Sequence, residues 1–427
     1  MAHRDDHIAS SLLPPELTDH IISFLHGHRK ALSACSLVCK NWLPATRHQQ
    51  FDSLQIKFDQ IHDLDRLLRN SPNVRLYITS LSVVFYLIDM VVLKYKTLAG
   101  TLRDIFHNLP NLVEVEFAGL YLIPELEMAA FEPIDSEGNV DGNADWYTDP
   151  RPSILINRLR LTNSTVSVSS FAGLIALCFR MKELCFERCV LAGLTSTLSP
   201  PQKHGWSSFW PPTRLSLQAS SSDANHDSFC DLLTLDRNGF KLPSFVTEVQ
   251  DRSEIPLLTS VIHRLGDSID HLDLTVNSDA SIPQLFRSEA DLDLSHCKVL
   301  RVCCLTFYLR EMFVSENQSL RWIHDCLQQL TSPHLETIEL TIFADPMTDL
   351  RALDSECGTR SLDYVDFDTM RELDWDRFDH MFTKERLESL QKVVLVGQGE
   401  SSGIYGFLDK SHPGLKRIIE FRKKGGH

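Results

Sequence analysis

What this 427-residue chain lacks narrows its possibilities first. It contains no nucleophile elbow, no phosphate-binding Walker loop, no dinucleotide glycine fingerprint and no zinc-protease helix, so no recognised catalytic motif stands in it. Long apolar runs are missing too. The longest, Val83 to Leu93, is interrupted by Asp89 and is about half of the ~20 residues a bilayer-spanning helix needs. Met1 to Ser11 carries Arg4, Asp5 and Asp6 without an apolar stretch of secretory length, which leads us to expect no membrane and a cytoplasmic or nuclear setting. Basic charge is in deficit: 42 Lys and Arg stand against 57 Asp and Glu, a net −15. A protein that gains affinity by displacing phosphate counterions needs the opposite balance, so nucleic acid is not an expected partner. A neutral or basic protein ligand fits better.

Cysteine, by contrast, is not scarce. Eleven residues, an odd number, are scattered without the paired short spacings of a structural zinc site. Cys185 with Cys189, and Cys303 with Cys304, are therefore read as free packed thiols, with no metal and no cofactor expected. Asp363, Asp366 and Asp368 come nearest to a calcium loop but lack its glycine turn and terminal glutamate. The stretch Gly397 to Gly403 follows a strand-like segment, yet no Lys-Ser pair closes it, and it reads as a plain loop. Hydrophobic residues at 43% and charged residues at 23% match a globular chain that folds over most of its length.

The most specific signal lies near the N-terminus. Leu13-Pro14-Pro15-Glu16-Leu17 reads as a helix start, because proline pre-sets φ and lacks only an N–H that would be orphaned there anyway. Leu17, Ile21 and Leu25 recur every fourth residue and predict one apolar stripe on a helix ending near Gly27. A second helix would carry Leu32, Cys35 and Val38, and Pro44 would open a third. Roughly 40 residues bury too little apolar surface to stand alone, so a partner is expected to complete the unit.

In order, spacing and residue type, Leu13 to about Phe51 resembles an F-box. That resemblance implies a Skp-type adaptor as partner and, through it, the cullin of a cullin-RING ubiquitin ligase. Carried over position by position, it implies adaptor-facing roles for Leu13, Pro14, Pro15, Glu16, Leu17, Ile21, Leu25, Leu32, Leu37, Val38, Cys39 and Trp42. We assign residues 10–51 to this domain.

Residues 52–424 change character. Met181-x-x-Leu184-x-Phe186-x-x-Cys189-x-Leu191 fits a leucine-rich repeat at every apolar position, and Ile269-x-x-Leu272-x-Leu274-x-x-Asn277 fits nearly as well. Shortened forms appear at Ile78/Leu81/Val83, Leu112/Val115/Phe117, Ile156/Leu159/Leu161, Leu335/Ile338/Leu340 and Leu390/Val393/Leu395, with poorer ones at Leu215/Leu217 and Leu415/Ile418. A pattern this short recurs by chance, so turn residues ahead of the strand, such as Ser71-Pro72-Asn73 and Leu109-Pro110-Asn111, select among the instances. Two overlapping registers compete around Cys297, and we favour a strand over Val299 to Phe307 with Leu300 and Val302 in the pattern. Helical patterns at Asp63–Arg69, Leu98–Leu109, Phe171–Arg180, Ile255–Leu265 and Leu320–Leu330 fall between strands. The expected fold class is therefore α/β: a small helical N-terminal domain, then an irregular leucine-rich-repeat-like solenoid with parallel strands inside and helices outside. Acidic insertions are expected near 125–152 and 345–379, the second partly packed through Trp375 and Phe378.

Residues alternating with the buried strand positions would face the inner surface. Glu114, Glu116, Arg158, Arg160, Glu187, Asp273, Thr275, Arg301, Glu339 and Thr341 are the candidates for contact with a protein target, whose identity the sequence leaves unknown. Three functions stay open: a non-catalytic substrate receptor, an F-box scaffold or other interaction solenoid outside any ligase, and an enzyme hidden in the insertions. A cysteine nucleophile would need an activating environment.

Overall fold

The computed structural model describes residues 14–38, 40–86, 95–122, 155–167, 180–192, 212–218, 241–249, 254–277, 292–310, 321–345, 363–364, 375–382, 387–397 and 401–423. Three short helices come first: α1 (Pro15–Ser23), α2 (Arg29–Val38) and α3 (Leu43–Phe51). Pro15 and Pro44 stand in the first turns of α1 and α3, where a missing N–H costs nothing. Gly27, at φ +83°, makes the turn between α1 and α2 in a backbone region that other residues avoid. Inside this unit only Ile22 and Leu32 are buried apolar residues among those described, with Thr18 and Thr46 beside them. Neither joins the main core, and Phe51 at the end of α3 is the first residue of the unit to pack against that core.

Strands follow in chain order: β1 (Ser53–Lys57), β2 (Ser80–Val84), β3 (Glu114–Ala118), β4 (Tyr121–Leu122), β5 (Leu155–Thr162), β6 (Thr165–Ser167), β7 (Arg180–Glu187) and β8 (Val190–Ala192). After them come β9 (Arg214–Gln218), β10 (Ser244–Val249), β11 (His271–Asn277), β12 (Val302–Arg310), β13 (Thr337–Asp345), β14 (Asp363–Tyr364), β15 (Lys392–Gly397) and β16 (Ile419–Lys423). The large sheet runs β1-β2-β3-β5-β7-β9-β10-β11-β12-β13-β15-β16, so its strands lie side by side in chain order, with β4, β6, β8 and β14 off this path. Every pairing on that path is parallel, and β14 alone adds antiparallel to β13. Parallel neighbours need a crossover. Helices α4 (Ile61–Asn70), α5 (Tyr95–His107), α6 (Ile255–Leu265), α7 (Arg321–Gln329), α8 (Trp375–Phe382) and α9 (Ser402–Ser411) supply several of them.

One side-chain row runs through the sheet in register: Leu81, Val115, Leu159, Leu184, Leu215, Phe245, Leu272, Cys303, Ile338 and Val393. All ten are buried, and they share one core with Leu64 and Leu68 of α4, Ile105 and Phe106 of α5, Val261 and Ile262 of α6 and Leu408 of α9. Because side chains alternate across a strand, burying this row against the helices turns the intervening residues to the other face. The three-position pattern is thus the core itself. It also extends to Leu242/Phe245/Thr247, which the sequence reading did not single out. The register near Cys297 is corrected: Leu300, Cys303 and Leu305 are buried, whereas Val302 faces the other way. At the C-terminal end, Ile419 rather than Ile418 continues the buried row.

Three successive strands end alike. Gly119, Asn163 and Arg188, at φ +72°, +48° and +52°, follow β3, β5 and β7. Each N–H donates to the end of the next strand, at Thr162 O (2.8 Å), Glu187 O (2.9 Å) and Gln218 O (2.7 Å). The chain then dips inward at Leu120, Ser164 and Cys189 and forms a second, three-stranded parallel sheet, β4-β6-β8. Buried there, Ser164 accepts from Leu120 N (3.0 Å), and the Cys189 thiol donates to Leu161 O (3.2 Å). No helix among the described residues is long and apolar enough to cross a membrane.

Candidate functional site

Two surfaces concentrate the residues singled out in the sequence. The first is on the N-terminal helices. Leu17 (49% exposed), Ile21 (44%) and Phe24 (72%) lie three or four residues apart along α1 and its terminal turn, and Leu37 (86%) and Val38 (63%) end α2. Ile22 and Thr18 point inward instead, so α1 is apolar on its solvent side as well as its core side. Polar ties hold the helices in place: His26 Nδ1 to Gln49 Oε1 (3.1 Å) and Gln50 Nε2 to Ser33 Oγ (3.2 Å), while within the first turn of α3 the Thr46 hydroxyl donates to Trp42 O (2.9 Å). A cleft of about 620 Å3 opens between α1, α3 and the loop before β2, lined by Glu16, Asp19, His20, His48, Gln49 and Tyr77 among others. Pro14 and Glu16 are exposed, and Leu25 and Trp42 are half-buried. Leu32 is buried and holds α2 against its neighbours, so it acts from inside the unit and not at its surface. Leu13 and Cys39 lie outside the described residues, as does the side chain of Pro15. Phe24 was missed, although its place three residues after Ile21 puts it on the same stripe.

The second surface is the sheet face turned away from the core. Register aligns Glu114 with Arg158, Glu116 with Arg160, and Thr162 with Glu187. Arg158 donates to Glu183 Oε2 at 2.7 Å and lies 3.9 Å from Glu114, while Arg214 reaches Glu183 at 3.5 Å. That hydrogen bond with Glu183 raises the Arg158 pKa beyond its ordinary value, keeping the guanidinium charged. Arg160 sits 4.0 Å from Glu114, and Glu116 accepts from Thr162 Oγ1 at 3.1 Å. Sequence reasoning missed Glu183 and Arg214, which occupy the same pattern position as Glu114 and Arg158.

Further along, Asp273, Cys304 and Glu339 are register neighbours on β11, β12 and β13, and Thr275, Thr306 and Thr341 form the next row. Thr341 is buried. Arg422 on β16 reaches across to Glu339 Oε2 at 3.0 Å. Arg301 does not belong to this face. It precedes β12, exposed, and pairs through two nitrogens with Glu336 at 3.0 and 3.1 Å, because the strand's register lies one residue away from the expected one.

No protein-family model and no curated protein matches this chain.

Cys185 and Cys304 lie on the sheet face, and burial, with Glu183 beside the first and Asp273 and Glu339 beside the second, pushes both thiols up to about 12. A nucleophilic cysteine needs the reverse shift. No group of three or more His, Cys, Asp or Glu able to hold a metal ion occurs among the described residues. Of the expected insertions, 125–152 lies outside the described residues, and in 345–379 Trp375 and Phe378 of α8 are buried against the core.

Proposed function

We propose that this chain is the substrate-recognition subunit of an SCF-type cullin-RING ubiquitin ligase. Its three N-terminal helices are an F-box that docks on a Skp-type adaptor, and its sheet domain is a leucine-rich-repeat-like solenoid that holds a protein target in the cytoplasm or nucleus. The observation that carries this reading is an inverted distribution of apolar residues. Among the described residues, two are buried inside the helical unit, while five large ones stand exposed on it. Full burial of such a side chain from full exposure is worth about 1.5–3 kcal/mol. Covering the exposed part of these five, about half in Leu17 and Ile21 and more in the others, contributes a fraction of that each before the cost of association. Support for the solenoid comes from the chain-order parallel sheet, the repeated buried triad and the recurring left-handed turn after β3, β5 and β7. In such a receptor the rate gain is proximity: the target's lysines are held near the charged conjugating enzyme.

Co-purification from cells tests the proposal. The wild-type chain should recover adaptor and cullin together. Leu17→Asp and Leu37→Asp should each lower recovery at least ~10-fold, since a charge at an apolar contact costs more than 1.4 kcal/mol. Surface positions of this kind change folding stability by only about 0.5 kcal/mol, which separates a lost interface from a lost fold. Adaptor without cullin would favour a scaffold outside a ligase; recovery of neither would end the receptor reading.

A further inference from the structure

Cations on the sheet face are matched within the chain: Arg158 and Arg214 with Glu183, Arg422 with Glu339, Lys392 with Glu420. Those of the helical unit are not. Between His20 and Phe51 the sequence holds four Lys or Arg and no Asp or Glu. Arg29, Lys30, Lys40 and Arg47 make no ion pair with any described residue, in a chain whose net charge is −15.

On α2 this basic charge meets a serine. Lys30, Ser33, Ala34 and Leu37 recur at helical spacing and are all exposed, so they form one outward stripe turned away from the buried Leu32. Arg29 and Lys30 stand four and three residues before Ser33, one helical turn away. Leu37, 86% exposed, stands one turn after it. The Ser33 hydroxyl accepts from Gln50 Nε2 at 3.2 Å, so a neutral donor on α3 already points at this oxygen. No other exposed Ser or Thr among the described residues has Lys or Arg at both of these upstream positions. Leu32 is the one buried apolar residue of α2 among those described, so opening this helix to a modifying enzyme costs little.

We propose that Ser33 is a phosphorylation site for a serine kinase that reads basic residues upstream, and that its phosphate releases the adaptor. The Ser33 hydroxyl oxygen attacks the γ-phosphorus of ATP, the bond from that phosphorus to the ADP oxygen breaks, and the serine proton passes to the kinase's base. The phosphate carries a charge of about −2. Arg29, Lys30 and Gln50 supply donors for its oxygens, and no acid stands between His20 and Phe51 to repel it. It also stands one turn from Leu37, whose burial under an apolar partner surface would take the phosphate out of water as well. The release rests on the reading of this unit as an F-box; the phosphorylation does not.

Full-length chain incubated with ATP and the catalytic domain of a calmodulin-dependent kinase tests it, read by peptide mass mapping and by co-purification with a Skp-type adaptor. One phosphate should enter Ser33, and Lys30→Ala should slow its entry about 10-fold or more. Lys298→Ala, in the sheet domain, should stay within about 2-fold. The phosphorylated chain should recover adaptor at least ~10-fold less well than the untreated chain, and phosphatase should restore recovery, which separates release from unfolding. Kinase treatment of Ser33→Ala should leave its recovery where it was. No phosphate at Ser33, or entry just as fast in Lys30→Ala, would overturn the site. Unchanged recovery after full phosphorylation of Ser33, or an equal fall in kinase-treated Ser33→Ala, would overturn the release. Where the untreated wild type recovers no adaptor, the ligase reading fails and the release falls with it, while phosphate entering Ser33 leaves the site standing.

Discussion

Among single residues, Gly119 is the least replaceable position that the backbone identifies. Its φ of +72° is unfavourable for any side chain, and a Cβ there would stand 2.6 Å from the Phe85 carbonyl oxygen, a backbone atom that cannot swing away. Gly119→Ala should therefore cost about 1–3 kcal/mol, read as a lower urea midpoint with an unchanged slope. Asn163 occupies the equivalent turn one strand later, also at positive φ. There Asn163→Gly should be neutral or stabilise by up to about 1 kcal/mol, because glycine adopts that conformation without strain. If Gly119→Ala melts like the wild type, the turn after β3 is not the tight one described.

Among elements, the helical unit and the sheet domain differ in what holds them. Helices α1 and α2 rest on Ile22 and Leu32 and on polar ties that are exposed, whereas β11, β12 and β13 each bury their alternate residues in the common core. Local opening follows buried contact, so amides of α1 and α2 should exchange at least ~100-fold faster than those of β11–β13. Adding a Skp-type adaptor should slow α1 and α2 and leave the strands alone. Equal protection in the free chain would mean that the helices already have their full support. These same contrasts explain what could be read in advance. Proline at the start of α1 and α3, the Gly27 turn and the buried triads are local signals, each legible within a few residues. The register around Cys303 and the displacement of Arg301 were not, because a shift of one residue moves every side chain of a strand to the opposite face and only the neighbouring strand decides it. Nor was the direction of Leu32, because which side of α2 turns inward depends on the helices packed against it.

For the whole molecule, burying so many thiols sets a limit on the alkaline side. The folded chain holds Cys185, Cys297 and Cys304 at about 12 and Cys189 at about 11, with burial the largest cause in each case, and Cys303 is pushed well up as well. In the unfolded chain these thiols return to the usual 9.0. Between pH 9 and their folded values, the native state therefore binds more protons than the unfolded state, and stability must fall as pH rises. Below pH 9 both states are protonated and the effect vanishes. Each thiol contributes a slope of about 1.4 kcal/mol per pH unit within that window. Several acting together can consume a typical stability of about 5–15 kcal/mol within one to two pH units. The chain should thus unfold cooperatively above about pH 10, seen as a sharp fall in melting temperature. The double variant Cys185→Ser/Cys304→Ser tests the cause separately from any packing loss. Whatever that variant loses at pH 7, its stability should decline less steeply than the wild type between pH 9 and 11, since two of the groups that release protons on unfolding are gone. Parallel declines would show that the thiols are not what the alkaline limit depends on.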